Sequence, residues 1–355
     1  MIAQDSVLVQ LVRLVDRLPA APSPSTTPRR RGRPPVYSDG LFLKALAIMI
    51  IRRLHKVGEL LAVLEEPTQE MRSLRELLCE DGRFPSRRTF ERRLRALPET
   101  LPERIGLLGR HLVARIEPWA RCGRAVAIDS TVLRARGGVW HKKDKEAGIV
   151  PHSSIDTEAG WTKSGWHGWV YGWKLHLACT VAGVWIPLAA HLTPANASDG
   201  RIAPLLIEEL PDQARFVLGD THYNAKNVRE ACLRREMFLV ASGRRGPYPH
   251  TDAGVEVRRI LHRLRHEAIE NLNEHFKALF EAHGAVPTRG RLDTARFALG
   301  AVFVYQLGTE IAAEPKPSIF FFLNIAAEGA QLALLYRHEQ ASGANRGLKA
   351  FLRAA

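Results

Sequence analysis

A mixed α/β layer structure preceded by a small all-helical region is the fold class that this 355-residue chain predicts, and three observations carry it. Up to about Trp119 the apolar residues recur at helical spacing. After residue 120 the texture changes to short apolar runs of strand length joined by Gly/Trp-rich connections, and then to strands alternating with helices. Strands that are first compatible with antiparallel pairing and then alternate with helices make a mixed sheet flanked by helices. At 46% apolar, the chain has material for a large core and for two domains rather than one.

Residues 1–18 carry apolar positions at helical spacing (Val7, Leu8, Leu11, Val12, Val15, Leu18), and the Pro/Ser/Thr stretch from Pro19 to Pro28 ends that helix and reads as a linker. It leads into Arg29-Arg30-Arg31-Gly32-Arg33-Pro34-Pro35. The Gly-Arg-Pro centre resembles the AT-hook, an extended segment that lays arginine in a narrow A·T-rich minor groove. A solvated basic linker that touches DNA phosphates or nothing is the alternative. Residues 1–35 therefore form an N-terminal helix and a basic Pro/Arg-rich linker.

From 36 to 119 the pattern predicts helices over 41–63, 69–78, 87–97 and 103–116, with breaks at Pro67, at Gly82-Arg83-Phe84-Pro85 and at Pro98. In the third of these, Ser86 is the N-cap and Phe90, Leu94 and Leu97 form the apolar stripe. Arg87, Arg88, Arg92, Arg93 and Arg95 fall largely outside it. A recognition helix of helix-turn-helix type has this form, because its early residues reach base edges while arginines hold phosphates. An ordinary basic solvent face has the same form.

The α/β region spans 120–312, with strands expected near 125–133, 173–182, 184–192, 215–219 and 237–241 and helices near 199–210, 224–235, 255–283 and 292–312. Between the first two strands, Gly137 to Gly172 carries Trp140, Trp161, Trp166 and Trp169 among many Gly, Lys and His, and reads as a long loop of functional or mobile kind. Residues 313–355 read as a helical tail, with a helix over 319–336.

A net charge of +14 favours a polyanionic partner, nucleic acid first and an anionic membrane surface second. Cys79, Cys122, Cys179 and Cys232 are scattered and form no C-x-x-C pair, which suits buried thiols in a reducing, cytoplasmic setting rather than a zinc site. The most apolar stretches, 41–51 and 318–336, are too short or too polar to span a bilayer and read as core helices.

Three acids stand out against this background. Asp129 closes Ala125-Val126-Ala127-Ile128, Asp220 closes Phe216-Val217-Leu218-Gly219, and Glu270 lies mid-helix in Ile269-Glu270-Asn271-Leu272-Asn273-Glu274-His275-Phe276-Lys277. A charged, unpaired aspartate at the end of a buried strand costs on the order of several kcal/mol, which a bound divalent cation removes. A turn or capping role explains either aspartate taken alone, since Ser130, Thr131 and Thr221 follow them. On a helical wheel Leu261, Leu264, Ala268, Leu272, Phe276 and Leu279 form one stripe, with Arg263, His266, Glu270, Asn273 and Lys277 opposite. Glu270 is therefore either part of a solvated polar face or aimed at the two aspartates. Three carboxylates suit Mg²⁺, which takes oxygen ligands and keeps waters, and two such ions about 3.5–4 Å apart activate a water or 3′-hydroxyl against a phosphodiester. Lys277, two turns after Glu270, is spaced to reach a DNA phosphate beside them.

These residues and their surroundings resemble the DDE transposases of bacterial insertion sequences, over most of the chain from about Val36 to Leu307. Ala127-Ile128-Asp129-Ser130-Thr131 resembles the family's first catalytic strand. Gly172-Trp173-Lys174-Leu175-His176-Leu177 and Leu192-Thr193-Pro194-Ala195-Asn196-Ala197-Ser198-Asp199 are similar to its second and third strands and the turn after them. Gly219-Asp220-Thr221-His222-Tyr223-Asn224 resembles the second aspartate motif, with its tyrosine three residues after the acid. Glu270 and Lys277 match the second half of the Y-x2-R-x3-E-x6-K signature, whereas its Tyr and Arg positions hold Arg263 and His266, with Arg265 adjacent. Only 50 positions separate Asp220 from Glu270, too few for the large all-β insertion of some relatives.

The resemblance implies a ribonuclease H-like catalytic domain over 120–312 behind a helical DNA-binding domain over 36–119. It implies Asp129, Asp220 and Glu270 as catalytic, Mg²⁺-binding residues, with Mn²⁺ as a substitute. DNA contacts are expected from Lys277, Lys174, Arg29, Arg30, Arg31, Arg33, Arg87, Arg88 and Arg92. The implied partners are double-stranded DNA, both terminal inverted repeats and target, and a second copy of the chain in a synaptic complex within a bacterial cytoplasm and nucleoid. Two other classes share these residues: an inactive or domesticated DNA-binding protein, and a metal-dependent nuclease without strand transfer. Of the six histidines His141, His152, His167, His176, His191 and His222, none has zinc-site spacing, and His176 and His222 are the two expected to line the cleft.

Overall fold

Helices fill the N-terminal part and a six-stranded sheet organises the rest in this computed structural model, which describes residues 6–18, 36–115, 124–165, 168–181, 184–241, 252–280 and 282–312. The basic segment from Arg29 to Arg33 and the expected tail helix over 319–336 lie outside the described residues.

Helix α1 (Val7–Leu14) is capped by the Ser6 hydroxyl, which accepts from the Val9 N–H at 3.3 Å. It packs on α2 (Asp39–Ile51), where every residue from Leu41 to Ile50 is buried. A helix apolar all round belongs at the centre of a bundle, and the single lysine in it is neutralised there. Lys44 Nζ lies 2.7 Å from Asp16 and donates to the Leu77 carbonyl at 3.2 Å.

The single helix expected over 41–63 is two, because the chain turns out at Arg53 and restarts as α3 (Val57–Leu64). Arg53 takes φ 55°, Leu54 N–H reaches back to the Met49 carbonyl at 2.7 Å, and Arg53 N–H to the Ile50 carbonyl at 3.2 Å. That pair of bonds is a Schellman stop. It is made by an arginine where a glycine is the usual signal, so the sequence carries no mark of it.

Helix α4 (Gln69–Leu77) is followed by a bridge between Glu80 and Arg83 and then by α5 (Arg87–Ala96). The connection over 78–86 is longer than the three or four residues of a helix-turn-helix. Ser86 does cap α5, accepting from Thr89 N–H at 3.3 Å, and Phe90 and Leu94 face the core. Arg88 and Arg92 are exposed, Arg87 pairs with Glu91 at 2.8 Å, and Arg93 folds back over the Phe42 ring to meet Asp39.

The sheet runs in the order β2 (Gly160–Ser164), β3 (Gly168–Thr180), β1 (Ala125–Arg134), β5 (Phe216–Gly219), β6 (Phe238–Ala241), with β4 (Pro187–Pro194) also paired to β3. Pairs β1–β3, β2–β3 and β3–β4 are antiparallel, whereas β1–β5 and β5–β6 are parallel. Ala125 to Ile128 are buried on both faces, as a central strand covered on both sides must be. Helix α8 (Asp199–Glu209) packs across β1, β3 and β4, α9 (Lys226–Arg234) packs on α8 and β6, and α10 (Asp252–Arg265) meets β1 and β5. Helices α6 (Leu101–Arg115) and α12 (Arg291–Ala312) lie on β4.

Helical region and sheet share one continuous core among the described residues. At Gly109 in α6 the backbone comes so close to β4 that a Cβ would sit 2.6 Å from the Pro187 carbonyl oxygen. Gln306 of α12 is fully buried and its Nε2 donates to the carbonyls of both Ile105 (2.8 Å) and Pro187 (2.7 Å). Gln306→Leu keeps the volume and removes both bonds, and is expected to cost about 1–3 kcal/mol. A urea melt with a lower midpoint and an unchanged slope is the expected record.

The Trp-rich stretch 137–172, expected as one long loop, contains a short helix α7 (Lys142–Glu146), all of β2 and the start of β3. Two of its indoles are structural: Trp161 Nε1 donates to the Trp140 carbonyl and Trp140 Nε1 to the Ile149 carbonyl, each at 2.7 Å. Trp161 also packs on Tyr171 at 5.3 Å between ring centroids. The glycines at 160, 165, 168 and 172 masked the strand pattern in the sequence. No helix among the described residues is long and apolar enough to cross a membrane.

Candidate active site

Strands β1 and β5 run parallel with Val126 beside Val217 and Ala127 beside Leu218; Asp129 and Asp220 each follow two residues further on, and the charge of Asp220 reaches Asp129. Adjacent strands are about 4.8 Å apart. Strand β5 ends at Gly219, whereas β1 continues to Arg134, so Asp129 sits within its strand where the parallel neighbour departs. A Cβ on Gly219 would meet the Tyr223 side chain at 2.7 Å, so the glycine lets the chain double back beyond Asp220.

Asp220 caps the 3-10 turn Thr221–Tyr223, accepting from His222 N–H at 2.8 Å, and its other oxygen lies 3.0 Å from the His222 ring. The capping role that the sequence allowed is therefore present alongside any other. The hydrogen bond and charge of Asp220 raise the His222 pKa. His222 thus stands beside Asp220, its side chain largely exposed.

Glu270 comes from the helical segment over 252–279, which differs from the expected single helix. Between α10 and α11 (Asn271–Leu279) the residues His266–Glu270 form a π turn. A π turn carries one residue more than an α turn, which rotates everything after it relative to a uniform helical wheel. Ala268, Leu272 and Phe276 are buried as expected, and Ile269 and Asn273, the latter expected on the polar face, are buried with them. Arg265 and Glu270, five apart, are brought to one side. Arg265 Nη2 lies 3.4 Å from Glu270 Oε1 and its Nη1 3.6 Å from Asp129 Oδ2. Glu270 and Asp129 thus flank one guanidinium, their oxygens within about 9 Å of each other. His266 Nδ1 approaches the same Glu270 oxygen at 2.8 Å.

Asp129 is four-fifths enclosed, and burial pushes its pKa up to about 6. Asp220 and Glu270 push in the same direction, while the Ser130 N–H at 2.8 Å and Arg265 oppose. Two further acids that add to the cost of ionising Asp129 make this an anionic recess. Among the described residues, however, no three of His, Cys, Asp and Glu are close enough to hold a metal ion, and the expected cluster is instead parted by Arg265. The donor set itself, all carboxylate oxygens, fits a hard divalent cation such as Mg²⁺ or Mn²⁺.

Lys174 and His176 are corrections to the expected list. Asp129 is paired with Leu177, and Lys174 with Val132, so Lys174 and His176 point to the opposite face of the sheet from Asp129. Lys174 Nζ is consumed by Asp199 (3.0 and 3.2 Å) and the Ala197 carbonyl (3.1 Å), leaving no exposed ammonium for DNA. His176 is fully buried, bonded to Thr193 at 2.8 Å, and burial lowers its pKa to about 4. Lys174 locks α8 to the sheet, and His176 ties β3 to β4. Lys277 is four-fifths enclosed, with Glu274 at 4.0 Å, two turns after Glu270.

The sequence offers Arg265 only as the neighbour of the signature's Arg position, and its meeting with Asp129 and Glu270 is found through the π turn; away from the acids, the structural role of Asp156 is found through partners far away in the chain. Asp156 accepts from Trp173 Nε1 (3.2 Å) and Gly290 N–H (2.9 Å) and its carbonyl from the Tyr171 hydroxyl (2.6 Å). No local pattern announces either.

Two solved structures are similar to this chain: a pre-cleavage Mos1 transpososome and a Mos1 transposase paired-end complex with left transposon end. Each is 14% identical, with 82% of this chain and 83% of the other covered and a TM-score of 0.21. No curated protein matches. The family model described as "Transposase DDE domain" matches residues 120–309, more than half of the chain and all of the sheet with its three acids. This chain belongs to the DDE transposase family, and its mixed sheet is the family's ribonuclease H-like core.

Proposed function

We propose that the chain binds the terminal inverted repeats of a mobile element, of bacterial insertion-sequence type, and uses Asp129, Asp220 and Glu270 to hold divalent ions for DNA cleavage and strand transfer. The observation that carries this reading is that Asp129 in β1 and Asp220 just past the end of the parallel strand β5 lie close enough for their charges to interact, with Glu270 tied to Asp129 through one guanidinium. Bound Mg²⁺ would polarise the scissile phosphodiester and the water or 3′-hydroxyl that attacks it.

The protein's own groups do the rest. Asp129 must shed its proton to act as a ligand, which its pKa of about 6 permits at neutral pH. His222 keeps a proton on the ring beside Asp220 to higher pH than an ordinary histidine and offers positive charge at the rim. The exposed Arg88 and Arg92 of α5 are free to meet phosphates, Arg87 adds its charge beside Glu91, and Lys277, four-fifths enclosed, stands two turns after Glu270. Arg29, Arg30, Arg31 and Arg33 extend that charge in sequence. Handling two ends together calls for a homodimer on DNA.

Incubation of the chain with inverted-repeat DNA, target plasmid and Mg²⁺, with and without chelator and beside Asp220→Ala, tests this. Joined product that needs both Mg²⁺ and Asp220 is expected. Cleavage without joining would make the chain a nuclease, and binding without either would make it an inactive DNA-binding protein.

A further inference from the structure

Arg265 is the least settled charged group among the described residues. Its side chain is only 13% exposed, it sits between two carboxylates, and its Nε and Nη1 are buried with no hydrogen-bond acceptor. The contact to Asp129, at 3.6 Å, is too long for a hydrogen bond, and that to Glu270, at 3.4 Å, is at the outer limit. A buried guanidinium normally satisfies its five donors, and one that does not is held by its surroundings rather than by its own bonds.

The π turn is what holds it there. Residues five apart on an α-helix point in well-separated directions, so Arg265 and Glu270 meet only because the turn between them carries an extra residue. In the ordinary i,i+4 position stands His266, whose Nδ1 takes the same Glu270 oxygen at 2.8 Å. Glu270 therefore already has a helix partner that leaves Asp129 untouched. The position of Arg265 instead coincides with the space between Asp129 and Glu270 that a cation bridging them must enter.

We propose that Arg265 is a tethered counter-cation that competes with divalent metal for Asp129 and Glu270, so that these acids become a metal site only when its guanidinium leaves. The inference rests on reading the acids as metal ligands. Positive charge is present between them in both states, which keeps the recess from carrying uncompensated negative charge before metal arrives. Re-registering the π turn releases Arg265 from Glu270 without moving β1, since only residues 266–270 carry the extra residue.

Mn²⁺ binding to the full chain without DNA, followed by the loss of the free-ion electron paramagnetic resonance signal, separates this from its foundation. R265Q is expected to bind Mn²⁺ about tenfold more tightly than wild type, because an intramolecular competitor with two ion pairs is gone. R265K, which keeps the charge but spans the two acids less well, is expected to fall between them and guards against a folding defect in R265Q. Equal or weaker binding by R265Q, with binding still lost in D129N, overturns the competition while leaving the metal reading intact. Binding unchanged by D129N in either background overturns the metal reading itself. Amide hydrogen exchange over residues 266–271 should quicken on addition of Mn²⁺ to wild type. Unchanged exchange at saturating Mn²⁺ would contradict release through the π turn.

Discussion

Asp129→Asn is expected to lose DNA cleavage by on the order of 10³-fold and yet to melt at a higher temperature than wild type at pH 7. The two effects have one cause. Burial holds the Asp129 pKa at about 6 against an ordinary 3.8, so the folded chain binds more protons than the unfolded chain between those values. The stability associated with that proton is fully present below pH 4 and lost as pH rises through 6. At pH 7 the ionised carboxylate is a net cost of roughly 1–3 kcal/mol, which asparagine removes. The gain falls toward the lower figure because Arg265 loses one of its two acids. Melting curves at pH 4 and pH 7 check this: the difference between variant and wild type should appear only at the higher pH. A lower melting temperature at pH 7 would mean that the Arg265 pair outweighs the burial. The same pKa predicts that wild-type cleavage declines as pH falls below about 6.

Asp156→Ala is expected to be the most damaging change away from the acids, at about 3 kcal/mol or more. Asp156 is 2% exposed and answers two donors of different elements, the indole of Trp173 in β3 and the Gly290 N–H before α12. Its neighbour Glu158 accepts from Arg291 N–H at 2.9 Å, so both carboxylates sit at the positive end of α12. Alanine leaves the two donors buried and unpaired. Asp156→Asn keeps one acceptor oxygen and should lose less than half as much. Chemical denaturation of the three proteins checks the ranking, and an Asp156→Ala protein as stable as wild type would remove the hub from the account.

What the sequence discloses follows from which interactions are local. The runs Ala125 to Ile128 and Val217 to Gly219 are buried, and so read as strands; Ser86, Phe90 and Leu94 similarly announce α5 through one cap and one stripe. Where a helix stops without glycine, as at Arg53, or takes in one extra residue, as over His266–Glu270, composition and a uniform wheel give no sign. The wheel therefore misassigned Asn273 and hid the meeting of Arg265 with Glu270. Lys174 was misjudged for a different reason. Its strand was expected in the right place, but only the β1–β3 register fixes the face to which it points. Asp156 lay in a stretch expected as loop, with partners more than ten residues away on one side and more than a hundred on the other. In these cases the missing information was tertiary.

Anomalous scattering from Mn²⁺-soaked crystals of the chain bound to DNA tests the central claim most directly. The account predicts Mn²⁺ coordinated by Asp129 and Asp220, with Glu270 as a further ligand and Arg265 withdrawn from between the acids. Mn²⁺ bound elsewhere, or Glu270 still paired with Arg265 while metal occupies the aspartates, would contradict it.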